Sequence, residues 1–396
     1  CIGTLCAASY LAVYVVRNVL SACAPQMMAD GGYTTEYIGA ASSTFFMFYA
    51  IGQLINGAIG DKVKARYMIS CGLLLAGVCH FLFPALYGHP FMAQLAYGMT
   101  GFFLSMIYGP MTKVVSENTE LVYAIRCSLG YTFISFFGSP LAGILTTLLV
   151  WKSVFTIGSA LLVGTGVLCF LLFLAMEKRG IVKYGQYSRK KGEGSKGGVR
   201  ILIERGIIRF TCISIITGIV RTTVVFWLPT YLTQQLGFQA RMSTSLFTVA
   251  TFLISMAVFV AMFLYKRLHE DMNRTVLVSF LSALVFFLLV YVIKQPVWNI
   301  LFLILAIMAS NCAASMLWSR YCPSLGDTGM ASSATGFLDF VSYMAAAVSN
   351  IIFANAVSEI GWGNLILIWA GLMALGALVM VPVKSYHRKP RHYSGL

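Results

Sequence analysis

Acidic side chains are scarce in this sequence: 13 Asp and Glu stand among 396 residues, and charged residues of both signs make up only 10%. A soluble domain carries about a quarter of its residues as charge, so a water-facing globular surface is excluded. Histidine is rarer still, at 5 residues, and none falls in H-E-x-x-H or at ligand spacing from a cysteine. No metal site is therefore read from the chain. G-x-S-x-G and G-x-x-x-x-G-K-[ST] are missing too, and the stretch Gly192-Glu-Gly-Ser-Lys-Gly lacks the spacing of the latter. Hydrolase chemistry and direct nucleotide-driven pumping drop out, no enzyme activity is read, and no cofactor is expected. The 10 cysteines lack C-x-x-C and lie scattered in apolar stretches, where they read as small buried hydrophobes. The opening at Cys1, inside an apolar run, gives no basis for inferring a signal peptide.

What is present is apolar: 59% of residues are hydrophobic, and mean hydropathy is +0.81. A membrane-spanning helix needs about 20 mostly apolar residues. Segments of that kind run near 2–27, 37–60, 67–88, 90–115, 122–150 and 153–176, then near 206–235, 242–265, 275–293, 296–319, 329–357 and 363–383. The expected fold is an all-α membrane protein of twelve transmembrane helices in two six-helix bundles. The expected units are a first bundle over 1–176, a basic Gly-rich linker over 177–205, a second bundle over 206–384 and a basic tail over 385–396.

Lys and Arg total 28, giving a net charge of +15, and the placement of that excess explains it. If the first helix runs outward, one side collects Lys62, Lys64, Arg66, Lys113, Arg126, the linker cluster, Lys266, Arg267, Arg274, Arg320, Lys384, Arg388, Lys389 and Arg391. The other side collects only Lys152, Arg241 and Lys294. This asymmetry predicts both termini in the cytoplasm and accounts for the basic balance by contact with a lipid bilayer, without nucleic acid. The expected location is the cell (inner) membrane. Six spans, a basic linker and six more spans form a transporter layout.

The opening helix of each half carries an Arg followed eight positions later by a Pro: Arg17 with Pro25, and Arg221 with Pro229. Each Arg falls about 20 to 25 Å along its helix, within the hydrocarbon region. An Arg there costs about 2.5 to 3.5 kcal/mol on insertion scales, so it calls for a partner or a wet cavity. Asp339 is the acid expected well inside a span, and one acid cannot neutralise two arginines. The missing anion is then the cargo. Guanidinium suits phosphate or carboxylate because its planar fork donates parallel hydrogen bonds, whereas Lys offers a point charge. Tyr10, Tyr14 and Arg17 are spaced i, i+4, i+7 and share a helix face, which makes both tyrosines candidate site residues and equally a packing stripe.

These residues resemble the major facilitator superfamily, and within it the organophosphate:phosphate antiporters that carry glycerol 3-phosphate or hexose 6-phosphate. The loop Gly57-Ala-Ile-Gly-Asp61-Lys62-Val-Lys-Ala-Arg66 is similar to the superfamily's signature between helices two and three. The resemblance implies a conformational latch at Gly57, Asp61, Lys62 and Arg66. Tyr10-Leu-Ala-Val-Tyr14-Val-Val-Arg17-Asn18 resembles the family's first helix, and Arg221 with Trp227-Leu-Pro229-Thr-Tyr its seventh. The resemblance gives both arginines the role of phosphate ligands, and implies pseudo-twofold symmetry and exchange against inorganic phosphate. Ala334-Thr-Gly336-Phe337 followed by Tyr343, and Gly361-Trp362, also follow the pattern and make Tyr343 a candidate cavity residue.

The departures are informative. The stretch Gly130-Tyr-Thr-Phe-Ile-Ser-Phe-Phe-Gly138 lacks the family's fifth-helix histidine. Gln53 stands where the glycerol-3-phosphate branch has lysine, and Asp339 where those relatives have a small residue. Three readings of Asp339 stay open beside a static bridge to either Arg: a zwitterionic ester as cargo, a less charged anion, or proton coupling. The overall expectation is a monomeric secondary transporter of a phosphorylated or similar organic anion, with inorganic phosphate or protons as counter-substrate. The alternatives are a proton-coupled symporter or exporter of another organic anion, and a sugar-phosphate sensor that does not transport.

Overall fold

In a computed structural model, residues 2–381 are described apart from 61–62, 87, 120–122, 124–126, 128–129, 132–133, 136, 185–197 and 325–330. The described regular elements are helices: α1 (Ile2–Gly31), α2 (Thr35–Gly60), α3 (Ala65–Ala85), α4 (Pro90–Leu104), α5 (Tyr108–Asn118), α6 (Gly138–Leu148) and α7 (Trp151–Lys178). A short α8 (Gly198–Glu204) precedes α9 (Ile207–Gln234), α10 (Ala240–Ser255), α11 (Ala257–Arg267), α12 (Met272–Val292), α13 (Pro296–Met316) and α14 (Ala331–Met380).

The long segments are mostly apolar and helical throughout, because in hydrocarbon every backbone N–H must be satisfied within its own segment. Among the described residues, ten helical stretches are long and apolar enough to cross a membrane. The expected fourth span is broken by a turn at 105–107 into α4 and α5. In the expected fifth, residues 122, 124–126, 128–129, 132–133 and 136 lie outside the described ones, and α6 forms its far end. Helix starts follow local chemistry. Pro296 opens α13 with the Gln295 side chain accepting from Trp298 N at 3.1 Å, and Asp271 caps α12 by accepting from Arg274 N at 3.0 Å. Within α14, Gly361 takes φ +74°, a backbone setting that favours glycine, and it separates the last two spans.

The helices sort into two packed halves. In the first, α1 lies against α6 and α7, α2 against α4, and α3 against α4 and α7; in the second, α9 lies against α13 and α14, and α12 against the same pair. The halves meet where α2 touches α14, α6 touches α10, and α1 touches α9 and α10. Residues 185–197 of the expected linker, and the whole basic tail, fall outside the described residues. One expectation needs correcting. Cys71 is exposed on α3 rather than buried, because a side chain facing lipid meets an environment as apolar as the interior.

Beyond α7, the chain folds back on the first half. Arg66 donates to Glu177 at 2.7 Å, Tyr184 donates to the other oxygen of the same carboxylate at 2.8 Å, and Lys183 N donates to Asn118 Oδ1 at 2.6 Å. Burial, reinforced by the bond to Glu177, pushes the Tyr184 phenol above its ordinary range, so it remains a donor.

Candidate functional site

The site is built where α1, α2, α9 and α14 converge. Arg17 lies fifteen residues beyond Ile2 on α1, and Arg221 fourteen beyond Ile207 on α9, so the two halves present a guanidinium at matching depth. Around Arg17 the helix is tightly packed, with Val13, Val16, Val19 and Leu20 at 1% exposure or less, while Arg17, Tyr14 and Asn18 are half-buried. Arg221 and Asp339 are half-buried as well, beside fully buried Val220 and Leu338. Mid-helix charges that keep partial exposure call for a partner or a wet cavity, and Arg17 reaches across the seam to the second half.

Arg17 Nη1 donates to Tyr343 Oη at 2.8 Å, so the first half's arginine bonds a phenol of the second half rather than an acid of its own. Its guanidinium carbon sits 4.6 Å from the Tyr343 ring centre, 5.1 Å from Phe46, 5.3 Å from Tyr49 and 5.4 Å from Tyr14. Each desolvated cation–π contact contributes about 0.5 to 2 kcal/mol. Together these rings offset the roughly 3 kcal/mol insertion cost without any counter-ion. Among the described residues only Nη1 of Arg17 has a hydrogen-bond partner, so its other N–H donors stay uncommitted. Arg221 has no hydrogen bond, ion pair or ring contact among the described residues.

Asp339 lies in the electrostatic field of Arg221 and, more weakly, of Arg17. Its carboxylate stands within 4.0 Å of neither guanidinium, so the static bridge expected as one alternative is not formed. Tyr343 follows Asp339 by four positions and shares its helix face.

Of the other sequence candidates, Tyr10 joins the site through Tyr14. The phenol of Tyr10 donates to that of Tyr14 at 3.4 Å, and the rings meet edge to face at 4.9 Å. Gln53 is half-buried on α2, one turn beyond Tyr49, and makes no hydrogen bond among the described residues. In the latch motif, Asp61 and Lys62 lie outside the described residues, Gly57 is in the last turn of α2, and Arg66 pairs with Glu177 within its own half. Phe46 and Tyr49 were not among the candidates. Their signal was spacing, since Phe46, Tyr49 and Gln53 fall at i, i+3, i+7 and share a face.

The contacts joining the halves cluster at Arg17 and toward the α1–α2 loop. Ser21 donates to Phe226 O at 2.6 Å, Ser43 to Ala347 O at 2.5 Å, and Asn350 Nδ2 to Ser42 Oγ at 3.1 Å. Gly39 packs so closely that a Cβ would collide with Ala354. At the opposite end, α5 packs on α1, α2 and α3, and α11 on α10, α12 and α13, each within its own half. These contacts close the seam on the loop side. Interhelical bonds in lipid are worth about 0.6 kcal/mol on average, so the seam holds with a few kcal/mol and can reopen.

This geometry defines a two-halved helical membrane protein with charged side chains midway along its helices. The Major Facilitator Superfamily profile matches residues 6–350, and the chain belongs to that superfamily. Along nearly its whole length it is 21% identical to the "Glycerol-3-phosphate transporter" of Bacillus subtilis (strain 168), covering 94% of this chain and 89% of the relative. A shorter stretch is 32% identical to the "Membrane sensor protein UhpC" of Salmonella typhimurium, covering 19% of this chain and 17% of that relative's length. The fold matches the crystal structure of the nucleoside transporter NupG at a TM-score of 0.72 and 13% identity, over 96% of this chain and 98% of the other. The superfamily match and these relatives bear out the resemblance read from the residues.

Proposed function

We propose that this chain is a secondary active transporter that exchanges a phosphorylated or similar organic anion for inorganic phosphate. The bundles 1–176 and 206–384, joined by the linker, rock about the site so that it opens to one side of the membrane at a time. The observation that carries this reading is one half-buried, mid-helix guanidinium per half, with N–H donors uncommitted and one carboxylate near both, and we read the three as lining one recess. A phosphate bridging Arg17 and Arg221 interacts with both halves at once. It thereby stabilises the occluded arrangement relative to either open one, which couples binding to movement.

Tyr14, Tyr10 and Tyr343 supply further donors, and Gln53 serves a larger cargo deeper in the recess. The relative named for glycerol 3-phosphate supports a phosphate ester as cargo. The protein resides as a monomer in the inner membrane with both termini cytoplasmic, and its recess faces the cytoplasm in the present conformation. The relative named a membrane sensor favours a second reading, in which the same ligand binds without flux.

The test is counterflow in proteoliposomes preloaded with inorganic phosphate. Arg17→Lys and Arg221→Lys each keep the charge but lose the fork, and each is expected to cut uptake by about tenfold or more. Near-parental uptake by both variants would refute the proposal. Phosphate-dependent thermal stabilisation without counterflow would move the protein to the sensor reading.

A further inference from the structure

A protein that needed only to neutralise a buried arginine would close a carboxylate onto it, because an ion pair out of water depends on contact. The recess does otherwise. Asp339 and Arg221 come from facing helices α14 and α9, are both half-buried, feel one another's charge, and make no direct bond. Arg17 is held by a phenol and four aromatic rings, so Asp339 is not needed to keep it in place. The recess therefore presents two positive groups and one negative group, held apart, with a net charge of +1 among the three.

Such separated charges of opposite sign complement a dipolar ligand better than a simple anion. A bare phosphate dianion would be repelled by Asp339. A dianion tethered to an ammonium group carries a net charge of −1, matching the recess, and can satisfy the carboxylate as well as the arginines. The rings around Arg17 already face one cation, which directs the incoming ammonium to Asp339 rather than to them.

We propose that the recess selects a zwitterionic phosphate ester, with its phosphate held by Arg17 and Arg221 and its ammonium group held by Asp339. This inference rests on the organic-anion exchange reading and narrows it to one chemical class. Inorganic phosphate, with no ammonium, occupies the arginines alone and is the weaker of the two exchanged partners.

The test uses the full chain in proteoliposomes loaded with labelled inorganic phosphate, with aminoethyl phosphate and hydroxyethyl phosphate competing for exchange. These esters are of similar size and differ in the ammonium group. In the parent protein the amine is expected to compete about tenfold better or more, the size of one hydrogen bond between charged groups. In Asp339→Asn that preference is expected to fall to about one, because hydroxyethyl phosphate improves while the amine loses its partner.

Equal competition by the two esters in the parent, or a preference for the hydroxyl, overturns the inference while leaving phosphate exchange intact. That measurement decides the matter even if Asp339→Asn fails to fold. A preference for the amine that survives unchanged in a folded Asp339→Asn also overturns it. If neither ester nor inorganic phosphate exchanges or raises the melting temperature in detergent, the underlying reading fails and the inference falls with it.

Discussion

Replacing Tyr343 with Phe removes one oxygen from the centre of the recess and almost nothing else. The ring can stay stacked on Phe46 at 6.0 Å and edge-on to Tyr49 at 5.0 Å, and its face still meets the Arg17 guanidinium at 4.6 Å. What disappears is the 2.8 Å bond from Arg17 and the phenolic hydrogen beyond it. Because that oxygen accepts from a cation, its own hydrogen is polarised toward any nearby anion. The variant loses a charged hydrogen bond to the cargo, about 1.5 to 3 kcal/mol. That is roughly a 10- to 150-fold weakening.

The assay is phosphate counterflow over a concentration series, with the apparent KM as readout and the melting temperature as control for folding. The fork of Arg17 is still present, so maximal exchange is expected to fall less than affinity. A Phe variant whose KM lies within about twofold of the parent, or below it, would show that Tyr343 only parks Arg17 and takes no part in holding the anion.

Two further outcomes follow from the packing. Gly39→Val places a methyl where Ala354 already sits, so the loop-side seam is forced apart; exchange is expected to fail while a cysteine introduced at Ser43 becomes more reactive to a water-soluble maleimide. An unchanged labelling rate would contradict the sealed arrangement. Arg66→Met leaves Glu177 with only Tyr184, removing a largely buried charged bond worth about 1 to 3 kcal/mol; the melting temperature is expected to drop by a few degrees, with a smaller loss of exchange than Arg17→Lys causes. No change in melting would mean that the contact is incidental.

The spans were legible because hydrocarbon makes each one a self-sufficient run of about 20 apolar residues. Arg17, Arg221 and Asp339 were legible for the converse reason, as charges that such a run tolerates only with cause. The Tyr10, Tyr14 and Arg17 face could be read from helical spacing, and Tyr343 from a family pattern. Phe46 and Tyr49 were hidden because an aromatic in an apolar helix has no cost that sets it apart from one facing lipid. The break at 105–107 fell within Ser105-Met-Ile, which hydropathy does not distinguish from continuous helix. Asp339 is a harder case: its depth follows from its place in the span, but its standing clear of both arginines depends on how the helices pack.

The serines at the sealed end grip backbone oxygens across the gap: Ser21 takes Phe226 O and Ser43 takes Ala347 O. A main-chain acceptor survives almost any change of side chain, so a scan of the second half alone will pass over this closure. Serine also has a place to retreat. When the halves part, its hydroxyl can swing to the carbonyl one turn back on its own helix, as Ser9 does with Leu5 O at 2.8 Å. Neither rim is then left with a stranded donor, and the fastening can be undone and remade on every turnover without water having to reach it first.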